Sequence, residues 1–247
     1  MYKEVTDINK IPSTTLLRKA VFYSERAYTD KIFQGQMINN KLTSATAHFI
    51  QDNDLDLDVL AFRGTQQVRD WFFNCSALPV RYCGRWVHGG FALAHKSIWK
   101  KCEKYLNPGR RLLITGHSLG GAMAELSALK LKKYYGKKKA SLITFGKPNV
   151  FWKKKNRYKM DHLEEHFSVV SGSDVVARIP RYFYCPDDGQ MIFYLSNHGD
   201  DYLNCDREFM AEDWGIVDAI SDHSMSMYDK RLRGHIFGVP EIEEAEH

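Results

Sequence analysis

Apolar positions recur along this chain with two periods, and the switching between them lays out its elements. After Pro12, Leu17, Ala20, Val21 and Ser24 fall at i, i+3, i+4 and i+7, which predicts a helix over Ser13–Tyr28. Ala45–Gln51 and Leu55–Arg63 read as a strand pair, the second with Leu55, Leu57 and Val59 alternating with aspartates. Phe91, Ala94, His95, Ile98, Cys102 and Tyr105 form a second helical stripe. Short apolar runs near 111–115, 141–145 and 166–170 predict further strands. Leu119, Ala122, Met123 and Leu126 begin a third helix, with Lys132 and Lys133 near its end and Gly136 as its stop. The alternation of strands and helices over the first 170 residues predicts an α/β fold with a largely parallel central sheet flanked by helices.

Open sheets of this kind carry their sites at the carboxyl ends of the strands. Three segments follow predicted strands and so share that edge: Arg63-Gly64-Thr65, the turn at Ser118, and Ser173-Asp174. The 247 residues are enough for one large α/β domain, expected over 1–247, with the acidic tail from about 240 dispensable.

Composition narrows the function. Hydrophobic content of 44% and charged content of 26% are ordinary for a globular protein. A net charge of +5 is too small to argue for nucleic acid. The charged N-terminus MYKEVTDINK lacks the apolar stretch of a signal peptide, and no run approaches 18 apolar residues. Five scattered cysteines, an odd number without a C-x-x-C pair, read as reduced thiols, so a cytoplasmic location is expected. There is no H-E-x-x-H and no acidic loop of the calcium-binding type, and neither metal nor cofactor is expected.

The most specific chemistry lies at residues 112–121, LLITGHSLGG. Gly116-His117-Ser118-Leu119-Gly120 is a G-x-S-x-G turn between a predicted strand and a predicted helix, the context of a nucleophile elbow. Such a turn presents the serine oxygen at a helix N-terminus, and glycines on either side leave room for it. The elbow mechanics also make the Leu119 backbone N–H an oxyanion donor. Serine needs a base, and the base needs an acid that fixes its tautomer. On elbow-bearing folds the chain order is serine, acid, histidine. Histidines after residue 170 are His198, His223, His235 and His247. Asp174, placed after the strand HFSVV and a Ser-Gly-Ser turn, stands where a strand end presents a carboxylate.

Six segments together resemble the class 3 lipases, the family of fungal triacylglycerol lipases with an α/β-hydrolase-like fold. They are AFRGT (61–65), VHGGF (87–91), TGHSLGG (115–121), TFGKPNV (144–150), VVSGSDVVARIP (169–180) and, more weakly, DHSMSMY (222–228). The resemblance implies Ser118 as nucleophile, Asp174 as acid and His223, which precedes Tyr228, as base. It implies Thr65 as the second oxyanion donor, through its N–H and hydroxyl. It also implies a lid at Gln66–Ala77, where Val68, Trp71, Phe72 and Cys75 fall on one helical stripe. His235 is the reserve base, His198 reads as a loop residue, and His88 and His117 as structural or positioning residues. His117 is expected to point away from the nucleophile, because adjacent side chains diverge.

The implied activity is hydrolysis of lipid esters through an acyl-enzyme on Ser118. A non-lipolytic esterase, or a catalytically silent interaction protein on the same scaffold, are the alternatives. The chain departs from the family at FWKKKNRYK (151–159), where small residues and Asn are usual. With KKYYGKKK (132–139) this gives two basic clusters. A lysine run is usually a solvated face, yet Phe151 and Trp152 beside lysines also match what an anionic membrane surface attracts. This shifts the expected substrate slightly from triacylglycerols toward phospholipids or lysophospholipids, and leaves both acylglycerols and phospholipids or lysophospholipids as expected lipid esters.

Overall fold

The computed structural model describes residues 13–29, 35–65, 78–132, 139–152, 160–172, 174–180, 184–185, 191–195, 202–203 and 222–235. Its helices are α1 (Thr14–Arg26), α2 (Gly89–Cys102), α3 (Leu119–Leu131) and α4 (Met225–His235). The strands in chain order are β1 (Gly35–Asn39), β2 (Thr46–Asp52), β3 (Leu57–Phe62), β4 (Pro79–Tyr82), β5 (Arg85–His88) and β6 (Arg111–His117). They continue with β7 (Ala140–Phe145), β8 (Phe151–Trp152), β9 (His166–Ser171), β10 (Tyr184–Cys185), β11 (Met191–Leu195) and β12 (Tyr202–Leu203).

The main sheet has the order β1-β2-β3-β6-β7-β9-β11-β12. Strands β3, β6, β7, β9 and β11 are parallel, and β1, β2 and β12 join antiparallel at the two sides. A small antiparallel sheet, β10-β8-β5-β4, was not apparent from periodicity.

The parallel strands are covered on both faces, so they read as continuous apolar runs. Leu60, Phe62, Leu112, Ile114 and Leu142 pack with α2 and α3 on one face. Val59, Ala61, Leu113, Ile143 and Phe145 pack with α1 and α4 on the other. The α1 stripe is buried as expected, including Ser24. Thr115 explains the serine: its Oγ1 donates to the Ile143 carbonyl at 2.8 Å, leaving Ser24 Oγ to donate to Thr115 at 2.8 Å. Helix α3 is not one-sided: every residue from Leu119 to Leu129 is buried. Its small residues allow strand and helix to approach closely around it. Its one carboxylate, Glu125, meets the Lys147 ammonium at 2.8 Å, both side chains within the interior.

The expected strand from Leu55 begins instead at Leu57. Asp56 has φ +47° in the preceding turn, which removes Leu55 from the sheet. The aspartates there are structural. Asp52 pairs with Lys19 at 2.5 Å and buried Asp58 with Arg110 Nε at 2.8 Å, at the sheet end remote from Ser118. Among the described residues no group of His, Cys, Asp and Glu could hold a metal ion, and no helix is long and apolar enough to cross a membrane.

Buried histidines tie α2 into this frame. Ser127 Oγ donates to the Met123 carbonyl, so it accepts from His95 Nε2 at 2.9 Å, and His95 Nδ1 accepts from the Tyr82 hydroxyl at 2.7 Å. That bonding requires neutral His95. Burial pushes it down to about 3, His166 likewise to about 3 and His88 to about 4. An unfolded chain takes up those protons near the ordinary value of about 6.5, the native state only well below it. Their stabilisation is therefore complete above about pH 6.5 and is lost as pH falls toward the native values. Each such histidine contributes a slope approaching about 1.4 kcal/mol per pH unit. Thermal denaturation should show Tm falling steadily between pH 6.5 and 4.5. A Tm unchanged over that window would contradict this account.

Candidate active site

The serine of the G-x-S-x-G turn occupies a backbone conformation that side chains rarely adopt. Ser118 has φ 57° and ψ −127° at the junction of β6 and α3. Its N–H donates to the Phe145 carbonyl at 2.9 Å, and its carbonyl accepts from Ala122 at 3.2 Å. The flanking glycines are required by contact. A Cβ on Gly116 would lie 2.5 Å from the Gly120 carbonyl carbon, and one on Gly120 would lie 2.1 Å from the Phe62 oxygen. The same approach brings the end of β3 against the elbow. A Cβ on Gly64 would lie 2.7 Å from the His117 carbonyl, so half-buried Thr65 follows a residue already in contact with the turn. Leu119, buried, opens α3. Ser118 is 0% exposed, and among the described residues its Oγ has no hydrogen-bond partner.

Asp174 stands beyond β9, as the sequence suggested. It is also 0% exposed, so its carboxylate depends on protein donors. Oδ1 accepts from the Val176 amide at 2.8 Å, and the Ala177 amide lies at 3.4 Å. Oδ2 accepts from the Tyr228 hydroxyl at 2.5 Å. His223 Nδ1 lies 3.0 Å from Oδ1 and 2.9 Å from Oδ2. A carboxylate only accepts, so Nδ1 is the donor and neutral His223 keeps its lone pair on Nε2. That Nε2 is buried and, among the described residues, has no hydrogen-bond partner. Burial first, and the Asp174 charge second, push the Tyr228 phenol well above its ordinary value, which keeps it a donor.

His223 sits in the turn before α4, and that turn is anchored from behind. Arg231 donates to Asp222 Oδ1 at 2.7 Å and also to Ser171 Oγ at the end of β9. Gly146, which follows β7, completes the cradle. It has φ +53°, and a Cβ there would lie 2.6 Å from Asp174 Oδ2 and 3.0 Å from both His223 Nδ1 and the Tyr228 oxygen. Sequence reading gave no separate role to Gly146; its signal was a glycine directly after a strand in TFGKPNV.

The remaining histidines divide as follows. His117 turns to Tyr28, whose hydroxyl lies 2.7 Å from Nδ1, yet its ring also packs on His223 with centroids 4.5 Å apart. His88 is structural, stacked on Phe91 at 4.2 Å. His235 ends α4, while His198 and His247 lie outside the described residues. So do Gln66–Ala77, with Val68, Trp71, Phe72 and Cys75, and also Gly136, Lys153–Lys155 and the acidic tail. Phe151, half of the aromatic pair expected to meet a membrane, is buried in the core, and Trp152 packs its ring on Tyr184 at 5.3 Å. Cys83, Cys102 and Cys185 form no disulfide.

The family model of class 3 lipases matches residues 59–184, from β3 through β10. The chain belongs to the class 3 lipase family. Relatives within this family of lipases include secreted mono- and diacylglycerol lipase 1 of Fusarium solani, 30% identical over 162 residues that cover 60% of this chain and 46% of the relative. The lipase of Rhizomucor miehei is 31% identical over 105 residues, 37% of this chain and 28% of the relative. The chain spans about half the length of the first two curated relatives it matches, 46% and 53%, and 34% of a third. The fold is shared with the solved triacylglyceride lipase of Rhizomucor miehei, with TM-score 0.65, 18% identity and coverage of 92% of this chain and 99% of that one. It is shared too with a triacylglycerol lipase described as having a serine protease triad for its catalytic centre, with TM-score 0.68, 17% identity and coverage of 89% and 96%. The Fusarium solani relative is named as secreted, as are relatives from Gibberella zeae and Penicillium cyclopium, which lends no support to the cytoplasmic location expected from the cysteines and the N-terminus.

The Gly146 cradle generates a prediction independent of any substrate. Gly146→Ala places a methyl group against Asp174, His223 and Tyr228, and the left-handed conformation alone costs about 1–2 kcal/mol. The variant should lose that much stability in denaturant unfolding. In proton NMR it should lose or shift the downfield Nδ1 resonance of His223. A wild-type resonance in Gly146→Ala would mean that the carboxylate and imidazole tolerate the methyl group.

Proposed function

We propose that this lipase-family chain is a serine-dependent carboxylic ester hydrolase acting on lipid esters. Ser118 is its nucleophile, His223 its general base and Asp174 the acid that orients the base. One observation carries the reading: the Asp174–His223 pair leaves a buried Nε2 lone pair without a hydrogen-bond partner among the described residues, in an interior that also holds the hydroxyl of Ser118, equally unpartnered among them.

The reaction follows from these groups. Ser118 Oγ attacks the ester carbonyl as its proton passes to His223 Nε2. Asp174 stabilises the resulting imidazolium through Nδ1 and stays ionised. The tetrahedral intermediate carries its negative charge on the former carbonyl oxygen. The Leu119 N–H at the start of α3 and the Thr65 N–H and hydroxyl are the donors assigned to it. Such a donor is commonly worth about 3–4 kcal/mol in a water-excluded site. The imidazolium then protonates the leaving alcohol, and an acyl-enzyme remains on Ser118. Water, deprotonated by His223, releases the acid by the same steps in reverse. Because Ser118 is fully buried, an ester reaches it only once the atoms covering it have moved.

Acylglycerols are the favoured substrate class, on the names of the relatives. The experiment is a hydrolysis panel of mono-, di- and triacylglycerols, phospholipids, lysophospholipids and short nitrophenyl esters on the pure protein. Labelling with a fluorophosphonate runs in parallel. Ser118→Ala should abolish labelling and lower kcat by about 10⁴-fold or more, with His223→Ala similar and Asp174→Ala somewhat less. Combining the three should add little, because members of a triad act as a unit. Thr65→Val should lower kcat by roughly 10- to 1,000-fold with KM little changed, since the ground-state carbonyl uses the oxyanion site weakly. Turnover of phospholipids alone would shift the substrate class. Turnover of short esters alone would make this a non-lipolytic esterase. Full activity in Ser118→Ala would sink the mechanism.

A further inference from the structure

Tyr28 stands just beyond α1, far in sequence from every residue assigned above. Its hydroxyl lies between two parts of the site. On one side it is 2.7 Å from His117 Nδ1. On the other it lies against the Gly64 backbone, where a Cβ would come within 2.1 Å of it. His117 in turn lays its ring on His223, with centroids 4.5 Å apart and planes inclined by 35°. One phenol therefore touches the strand end that carries Thr65 and, through a single intervening ring, the base.

A phenol proton donated to His117 Nδ1 gives the bond between them its direction. Neutral His117 then carries its own proton on Nε2. Burial first, then the neighbouring His223, hold His117 well below the ordinary imidazole range. Burial likewise raises the Tyr28 phenol, against the opposing influence of Arg63 and the Gly64 amide. The ring packed on the base is thus uncharged and does not oppose an imidazolium at His223.

We propose that Tyr28 is a positioning residue, whose hydroxyl, wedged between Gly64 and His117, sets the spacing between Thr65 and His223. The proposal rests on the hydrolase reading given above. Tyr28→Phe keeps the ring and removes the hydroxyl, which takes away the contact with Gly64 and the partner of His117 Nδ1. Misplacing reacting groups by about 1 Å costs on the order of 100-fold in rate.

The test compares wild type, Tyr28→Phe, Thr65→Val and the double variant, using a short nitrophenyl ester and the rate of fluorophosphonate labelling, with folding checked by circular dichroism. Tyr28→Phe should lower kcat by about 10- to 100-fold with KM within about twofold, and labelling should slow in parallel. It should cost less in the Thr65→Val background than in wild type, because part of its effect passes through Thr65. Gly64→Ala, whose methyl group displaces the same hydroxyl, should lower kcat with the same constancy of KM, which keeps the idea testable if Tyr28→Phe does not fold. An unchanged kcat in folded Tyr28→Phe, a change confined to KM, or full additivity with Thr65→Val overturns the proposal alone. A wild type that neither turns over ester nor labels overturns the hydrolase reading, and this inference with it.

Discussion

A carboxylate with no access to water organises the candidate site. Asp174 is sealed in the interior, and a buried charge survives only where protein donors replace its hydration. Its donors come from separate parts of the chain: amides of the turn that follows it, the imidazole before α4 and a phenol one turn into that helix. Each donor to Asp174 also fixes something else. The Val176 amide fixes the end of β9, Tyr228 fixes α4, and the Nδ1 bond fixes which nitrogen of His223 holds the proton. Gly146 belongs to the same constraint from the opposite side, since the acceptors and donors close so tightly around Asp174 that no Cβ fits there.

The sheet supplies the other half of the arrangement. Strands β3, β6, β7 and β9 are parallel neighbours, so their carboxyl ends bring Thr65, Ser118, Gly146 and Asp174 to one edge. Close packing then converts adjacency into geometry. The approach of Gly120 to Phe62 and of Gly64 to the His117 carbonyl leaves no slack between β3 and the elbow. Ser118 can occupy its strained conformation because strand, helix and neighbouring carbonyl all hold it there. The clustering of ion-paired aspartates at the remote end leaves the site edge free of competing carboxylates from that acid-rich stretch.

Much of this was readable without coordinates, for identifiable reasons. The helix over Thr14–Arg26 and the strands at 111–117, 140–145 and 166–171 carry long periodic or apolar runs, which are the strongest local signals. The elbow at Ser118 has a mechanical signature in the residues themselves, whereas local sequence offered Asp174 equally as a turn-forming aspartate and only the resemblance to lipases made it the proposed acid. His223 was no more legible: local sequence could not choose it over His198 or His235, and only the resemblance to lipases did. Tyr28 and Gly146 were illegible for a different reason. Their importance lies in contacts with residues far along the chain, which no spacing records. The two-residue strands β8 and β10 are too short to show a period. The alternation of aspartates near residue 55 marked a strand face but not what the face meets: Asp58 is an interior ion-pair partner of Arg110.

The charges of the interior explain why histidines surround a reaction that uses one. In the proposed attack, proton transfer to His223 and formation of the oxyanion create a positive and a negative charge together, beside the standing negative charge of Asp174. The net charge of the site does not change, but charge is separated inside a region from which water is excluded, where every nearby fixed charge acts strongly. A cation at His117 would lie against the new imidazolium and oppose it. Burial keeps His117 neutral. Burial likewise keeps the Tyr228 phenol protonated, so that it lends Asp174 a hydrogen bond and no second negative charge. The same burial that makes these groups costly to titrate thus leaves Asp174 as the fixed charge in direct contact with the base, placed to favour the imidazolium once the serine proton has moved.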